Sequence, residues 1–125
     1  MCKALGGSAD PKAADTLIQK MRDTDDSVKA AAIEAAGQFR YARLSVRKEL
    51  FEAVLGVYVP TWNLKESINP DHKKERQRAA KRWELIAKPS EASLQLLSNK
   101  TQEDPPAWRK WWNENKKKKW EELED

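Results

Sequence analysis

Three tryptophans, Trp108, Trp111 and Trp112, stand at i, i+3 and i+4 near the end of this 125-residue chain, followed by Lys116 to Lys119 and then Trp120. On a helix that spacing places all three indoles on one face. Two chemistries follow from it. Exposed, the rings would form a stacking platform for nucleobases beside a cationic run. Buried, they would form a lid over an apolar face, each indole contributing roughly 2 to 4 kcal/mol. The spacing suits burial better, and Glu121, Glu122, Glu124 and Asp125 follow the lysines directly. Residues 115–125 are accordingly expected to be a charged, frayed and solvated tail.

Basic charge offers a second candidate. Residues 1–39 hold 5 basic and 6 acidic groups, residues 40–82 hold 11 and 5, and residues 83–125 hold 8 and 9, so the net +4 lies in the middle third. Arg43, Arg47, Lys65, Lys73 and Lys74 belong to that third and are candidate partner-binding residues. Such a patch attracts phosphate, acidic protein or anionic lipid, and its plain alternative is a solvated face. No side-chain spacing here reads base edges, so sequence-specific nucleic-acid recognition is unsupported.

Catalytic groups are sparse. His72 is the single histidine and Cys2 the single cysteine, which removes histidine-pair metal sites, intrachain disulfides and cysteine clusters for zinc. Asp23, Asp25 and Asp26 sit where a helix begins, and negative charge there favours the helix dipole. No glycine-rich phosphate loop is present. The expectation is no enzyme, no cofactor and no metal.

The elements that would position these groups read as helices throughout. Asp10-Pro11 starts one, with Ala14, Leu17, Ile18 and Met21 as its apolar stripe. Asp25 or Asp26 caps the next, in which Val28, Ala32, Ala35 and Phe39 share a face while Ile33 and Ala36 can touch a following unit. Gly37 near its end suits a left-handed residue or a tight turn. A third helix is expected from Leu44 to Tyr58, closed by Val59-Pro60, and then an inserted polar loop, 59–70, that carries Trp62. A fourth is expected from Pro70 or Asp71 to Ala87, its polar first half projecting beyond the core. Pro89 ends it, Ser90 caps a short fifth helix, and Asp104-Pro105 opens the sixth. With 39% apolar and 35% charged residues, the chain suits an elongated helical array with much exposed surface.

The order of these helices carries a repeat. Ala4-Leu5-Gly6-Gly7 returns, weakened, as Ala35-Ala36-Gly37-Gln38, 31 residues later, a spacing that points to a solenoid of stacked helix pairs. The run from Ala4 to Ala13, continued by Leu17 to Ala32, resembles the junction between two HEAT repeats of the short kind that is also named after bilin lyases. In that kind an Ala-Leu-Gly ends one helix, an Asp-Pro opens the next, and an acidic turn leads into a Val-basic-x-Ala-Ala helix. Leu94 to Thr101, then Asp104 and Ala107 to Trp112, is similar to the closing segment of many bacterial HEAT-repeat proteins, with its Trp-x-x-Trp-Trp helix. The resemblance implies an all-α, short α-solenoid of stacked antiparallel helix pairs, about six helices and no strands. It transfers no catalytic residue.

On this reading residues 1–114 form one domain: a remnant of a preceding repeat at 1–7, a regular repeat at 8–40, a degenerate repeat at 41–88, and terminal helices with the tryptophan cap at 89–114. The expected function is a non-catalytic protein-protein interaction scaffold, the C-terminal fragment of a larger HEAT-repeat protein. Trp62 is either an exposed anchor for the partner or a ring folded back over the third and fourth helices. Electrostatic binding of nucleic acid or phosphate through residues 40–82 is the alternative. Self-association through a truncated N-terminal face is a further expectation. No segment reads as membrane-inserted, and a native N-terminus with any signal peptide is expected to lie upstream, leaving a soluble chain of unassigned compartment.

Overall fold

The computed structural model describes residues 11–120 and contains, among them, five α-helices and no strand: α1 (Pro11–Met21), α2 (Asp26–Ala36), α3 (Leu44–Lys65), α4 (Lys73–Ser98) and α5 (Pro105–Asn115). Single 3₁₀ turns at Gly37–Phe39 and Pro70–His72 lead into the links before α3 and α4. The expected cap at Asp10 lies outside the described residues, as do residues 1–7.

Helix starts follow local chemistry. Asp25 accepts from the backbone N–H groups of Ser27 at 2.8 Å and Val28 at 3.4 Å, which opens α2. Asp104 accepts from Ala107 N–H at 2.9 Å ahead of Pro105, and Asn69 accepts from Asp71 N–H at 2.9 Å ahead of Pro70. At the end of α1, Lys29 reaches back from α2 and donates to the Met21 carbonyl at 3.2 Å, satisfying one of the acceptors a helix end leaves open.

Two prolines behave differently from expectation. α3 does not stop at Tyr58 but runs through Pro60 to Lys65, so the inserted loop 59–70 shrinks to a turn after Lys65 and Trp62 stands on a helix. α4 likewise runs through Pro89 to Ser98, merging the expected fourth and fifth helices. A proline inside a helix costs about 3 kcal/mol through a lost N–H and a clash with the carbonyl four residues earlier. Those carbonyls belong here to Gly56 and Leu85, both on exposed residues where water can serve them, while Tyr58, Val59 and Thr61 beside Pro60, and Ser90 and Ser93 beside Pro89, are buried. Tertiary packing on both sides outweighs the local break. Ser90 is therefore a fully buried helix residue rather than a cap, and its hydroxyl has no hydrogen-bond partner among the described residues.

At Gly37 the tight turn is found, as the 3₁₀ turn Gly37–Phe39, and the left-handed alternative is not, since its φ of −62° is ordinary right-handed backbone. A Cβ at Gly37 would stand 3.0 Å from Leu96 Cδ1 and 3.1 Å from Ser93 Oγ. What the position requires is close approach of α4. The left-handed residue is instead Asn99, with φ 58°, whose N–H donates to the Gln95 carbonyl at 2.7 Å to close α4.

Packing is pairwise. α1 lies against α2, α3 makes its most extensive contact with α4, α2 packs on α4, and α1 packs on α3. The core between the pairs holds Ala14, Met21, Ala32, Ile33, Ala36, Leu50, Val54, Leu55, Ile86, Leu94 and Leu97. Ser93 on α4 donates its hydroxyl to the Ile33 carbonyl of α2, and Arg82 Nε donates to Asp26 Oδ1 at 2.9 Å, so α2 is tied to α4 near both ends. Burial pushes the Tyr58 phenol well above its ordinary value, with the carboxylate of Glu91 adding to the shift.

α5 closes the other flank of α3. Phe51 is the hub: its ring centroid lies 5.7 Å from Trp108, 5.4 Å from Trp111, 5.3 Å from Trp112 and 5.3 Å from Trp120. Trp108 and Trp112 are buried and Trp111 is half-buried. Over residues 115–120 the tail departs from the frayed, solvated segment expected, while residues 121–125 lie outside the described residues. Residues 116–120 fold back, Trp120 is 0% exposed, its indole N–H donates to the Asn115 carbonyl at 3.0 Å, and Lys48 Nζ donates to the Lys118 carbonyl at 2.6 Å. One large apolar ring after four lysines outweighs their preference for water, because the lysines themselves stay exposed.

Candidate interaction surface

The basic residues singled out from sequence do not form one patch. Arg43 precedes the first turn of α3 and Lys65 ends that helix, 22 residues later, so about 33 Å separates them at 1.5 Å per residue. Lys73 and Lys74 begin α4 at the Lys65 end, and both are exposed. Arg47 is buried, which removes it from any patch presented openly to a partner. Lys65 is half-buried, paired with Glu66 at 3.3 Å and set 5.7 Å from the Trp83 ring centre.

Several other cations serve the fold. Arg76 donates to the Ser67 carbonyl at 3.2 Å and the Asn69 carbonyl at 2.7 Å, Lys48 holds the returning tail, and Arg82 pairs with Asp26. Desolvation lowers the Lys29 ammonium below its ordinary value, and nearby Arg82 lowers it further. Composition counts these charges; it cannot say which of them are already engaged.

Trp62 is half-buried on α3, neither a free anchor on a loop nor a fully covered ring. The aromatic that covers the α3–α4 seam is Trp83, stacked on Tyr58 with centroids 5.0 Å apart and planes 17° apart. The turn between these helices is held by Ser67 Oγ against His72 Nδ1 at 3.0 Å, together with the two Arg76 bonds, and presents Ile68 almost completely exposed.

A groove opens elsewhere, where the turn after α2 meets the last two turns of α4. It measures about 580 Å³ and is lined by Glu34, Gly37, Gln38, Arg40, Tyr41, Ala92, Ser93 and Leu96. A smaller hollow of about 320 Å³ shares Arg40, Tyr41 and Leu96 with it and adds Arg47 and Asn99. Tyr41 is 56% exposed and Leu96 39%, two of the few large apolar side chains left open. The Arg40 guanidinium sits 4.7 Å above the Tyr41 ring centre. Local folding explains the placement. The 3₁₀ turn at Gly37–Phe39 buries Phe39 and so turns Arg40 and Tyr41 outward, and the absent Cβ of Gly37 lets Leu96 approach the groove floor.

Sequence reasoning passed over Tyr41 and Leu96. The available signal was an aromatic, Tyr41, set between two arginines in a link too short to bury it. Among the described residues no cluster of His, Cys, Asp and Glu is arranged to hold a metal ion, and no helix is long and apolar enough to cross a membrane. No protein-family model, curated protein or solved structure matches the chain at a significant level.

Proposed function

We propose that this chain is a non-catalytic protein-interaction module built as a short HEAT-like solenoid. The pairs α1–α2 and α3–α4, stacked first helix on first and second on second, support that architecture, and the tryptophan cluster on Phe51 acts as the terminal cap such an array needs. The observation that carries the functional reading is the open groove, where an exposed tyrosine and leucine stand beside the turn at Gly37, whose missing Cβ lets α4 pack close. Aromatic and arginine side chains at such places dominate protein interface energies.

The test is site-directed photo-cross-linking with Gln38→p-benzoylphenylalanine, at an exposed position on the groove wall, against the same substitution at Lys74. A discrete protein adduct from position 38 and none from position 74 is expected. Absence of an adduct at 38 contradicts the reading.

A second reading, electrostatic nucleic-acid binding, draws on Lys74, Arg78 and Lys81, exposed on successive turns of α4. It requires an oligonucleotide affinity that falls steeply with salt and that charge reversal at these three residues removes. The dispersal of the remaining cations over the molecule favours the first reading.

A further inference from the structure

α4 carries a second surface, apart from the groove, across the helix from the residues it buries at Ala79, Ile86, Ser90 and Leu97. Lys74, Arg78, Lys81, Leu85 and Lys88 follow one another there at intervals of four, three, four and three residues. At 3.6 residues per turn they stay within about 40° of one line along the helix, and all five are exposed. The four cations form a row about 21 Å long at 1.5 Å per residue. None of them makes an ion pair or a hydrogen bond among the described residues. The exposed carboxylates of the same helix lie off the row, Glu84 about 80° to one side and Glu75 about 100° to the other. Arg82, on the flank towards α2, is neutralised by Asp26 and leaves the charge of the row unchanged.

The side chains of the row select the partner. Four cationic heads in line on a convex helix can bear together on a flat anionic surface. Leu85 stands among them, about one turn from both Lys81 and Lys88, with its side chain open to solvent. A phosphate backbone takes up the cations but offers nothing to an exposed leucine, and the row has no aromatic ring on which a base would stack. A bilayer takes up both, since anionic headgroups pair with the heads while the leucine and the lysine stems enter the apolar boundary.

We propose that this face of α4 docks peripherally on an anionic lipid bilayer, through Lys74, Arg78, Lys81 and Lys88 with Leu85 between them. The helix lies along the surface without crossing it, and its apolar side stays in the protein core. The inference goes beyond the protein-interaction reading and does not depend on it, because the groove begins at Ala92, one turn past Lys88.

Co-sedimentation of the full chain with sucrose-loaded vesicles tests it, using phosphatidylcholine with a quarter phosphatidylserine against phosphatidylcholine alone. Binding is expected to the anionic vesicles only, and to fall as salt rises. Lys74→Gln, Arg78→Gln and Lys81→Gln together should lower partitioning at least about a hundredfold, at about fivefold per cation. Leu85→Gln alone should lower it at least about threefold. Lys116→Gln, Lys117→Gln and Lys119→Gln together remove the same charge from exposed positions elsewhere and should lower it less than about fivefold. Every substituted side chain is exposed, so circular dichroism and the melting temperature should stay as in the parent chain.

Equal loss in the two triple variants overturns the proposal, since net charge rather than the row would then drive binding. So does equal binding to neutral vesicles, absence of binding to anionic vesicles at low salt, or insensitivity to Leu85→Gln. Tighter binding to an oligonucleotide than to the vesicles, compared per anionic charge, would assign the row to nucleic acid and overturn it as well.

Discussion

Replacing Phe51 tests whether the tryptophan cluster is a cap that holds the array closed. Phe51 sits within α3, fully buried, with four indoles at centroid distances of 5.3 to 5.7 Å. Phe51→Ala removes a ring from a site with little room to collapse, because Trp108 and Trp112 are fixed on α5 while Trp120 comes in from the returning segment 116–120. Large-to-small substitutions of buried aromatics cost about 3 to 5 kcal/mol, and the rigid surroundings place this one in the upper half, about 4 kcal/mol. For a chain of this length that lowers the melting temperature by about 12 to 20 °C. Phe51→Leu keeps most of the volume and loses the ring contacts, which are worth about 0.5 to 1.5 kcal/mol per pair and add only partly, giving about 1 to 2 kcal/mol. Urea unfolding followed by tryptophan emission reads both values, with the midpoint shifting and the slope unchanged. The near-ultraviolet circular dichroism of the clustered indoles should weaken in both variants. A loss under about 1.5 kcal/mol for Phe51→Ala with an unchanged near-ultraviolet spectrum would refute the packing described.

Other perturbations separate local from global effects. Trp120→Ala should cost less than Phe51→Ala, about 1 to 3 kcal/mol, because residues 116–120 can undock as a unit while the helices persist, and amide exchange should rise there and around Lys48. Gly37→Val should lose about 2 kcal/mol through overpacking against Ser93 and Leu96, whereas Gly56→Ala, with nothing within 4 Å of its added methyl, should gain about 0.5 to 1 kcal/mol in thermal melts. Because the buried Tyr58 phenol keeps its proton beyond the ordinary value of 10.0, the unfolded chain loses that proton first, so stability present below pH 10 declines as pH rises above it. Tyr58→Phe should flatten that part of the stability–pH curve, and an unchanged slope would contradict the burial.

The helical class and the caps at Asp25 and Asp104 were legible because they depend on neighbours in sequence. The stripe Ala14, Leu17, Ile18, Met21 and the contact role of Ile33 and Ala36 were legible for the same reason. The continuity of α3 and α4 was not, since a proline's local cost is visible in sequence while the burial on either side of it is not. Trp120 was misread because its four preceding lysines suggest a solvated end, and only the position of Phe51 and Lys48 shows where the ring goes. Arg47 illustrates the general difficulty with the basic middle: charge is countable in sequence, but whether a guanidinium is open or buried depends on the neighbouring helix. The groove at Tyr41 and Leu96 joins residues 55 positions apart, brought together only by the packing of α2 on α4.

The most direct measurement of the interaction reading is a ¹H–¹⁵N correlation spectrum of the chain titrated with the protein that cross-links from position 38. The account predicts progressive, saturable shifts confined to the amides of Gly37, Gln38, Tyr41, Ser93 and Leu96 and to the Arg40 side chain, with the far end of α4 silent. Shifts centred on Lys73 to Lys81, or none at all at saturating partner, would contradict it.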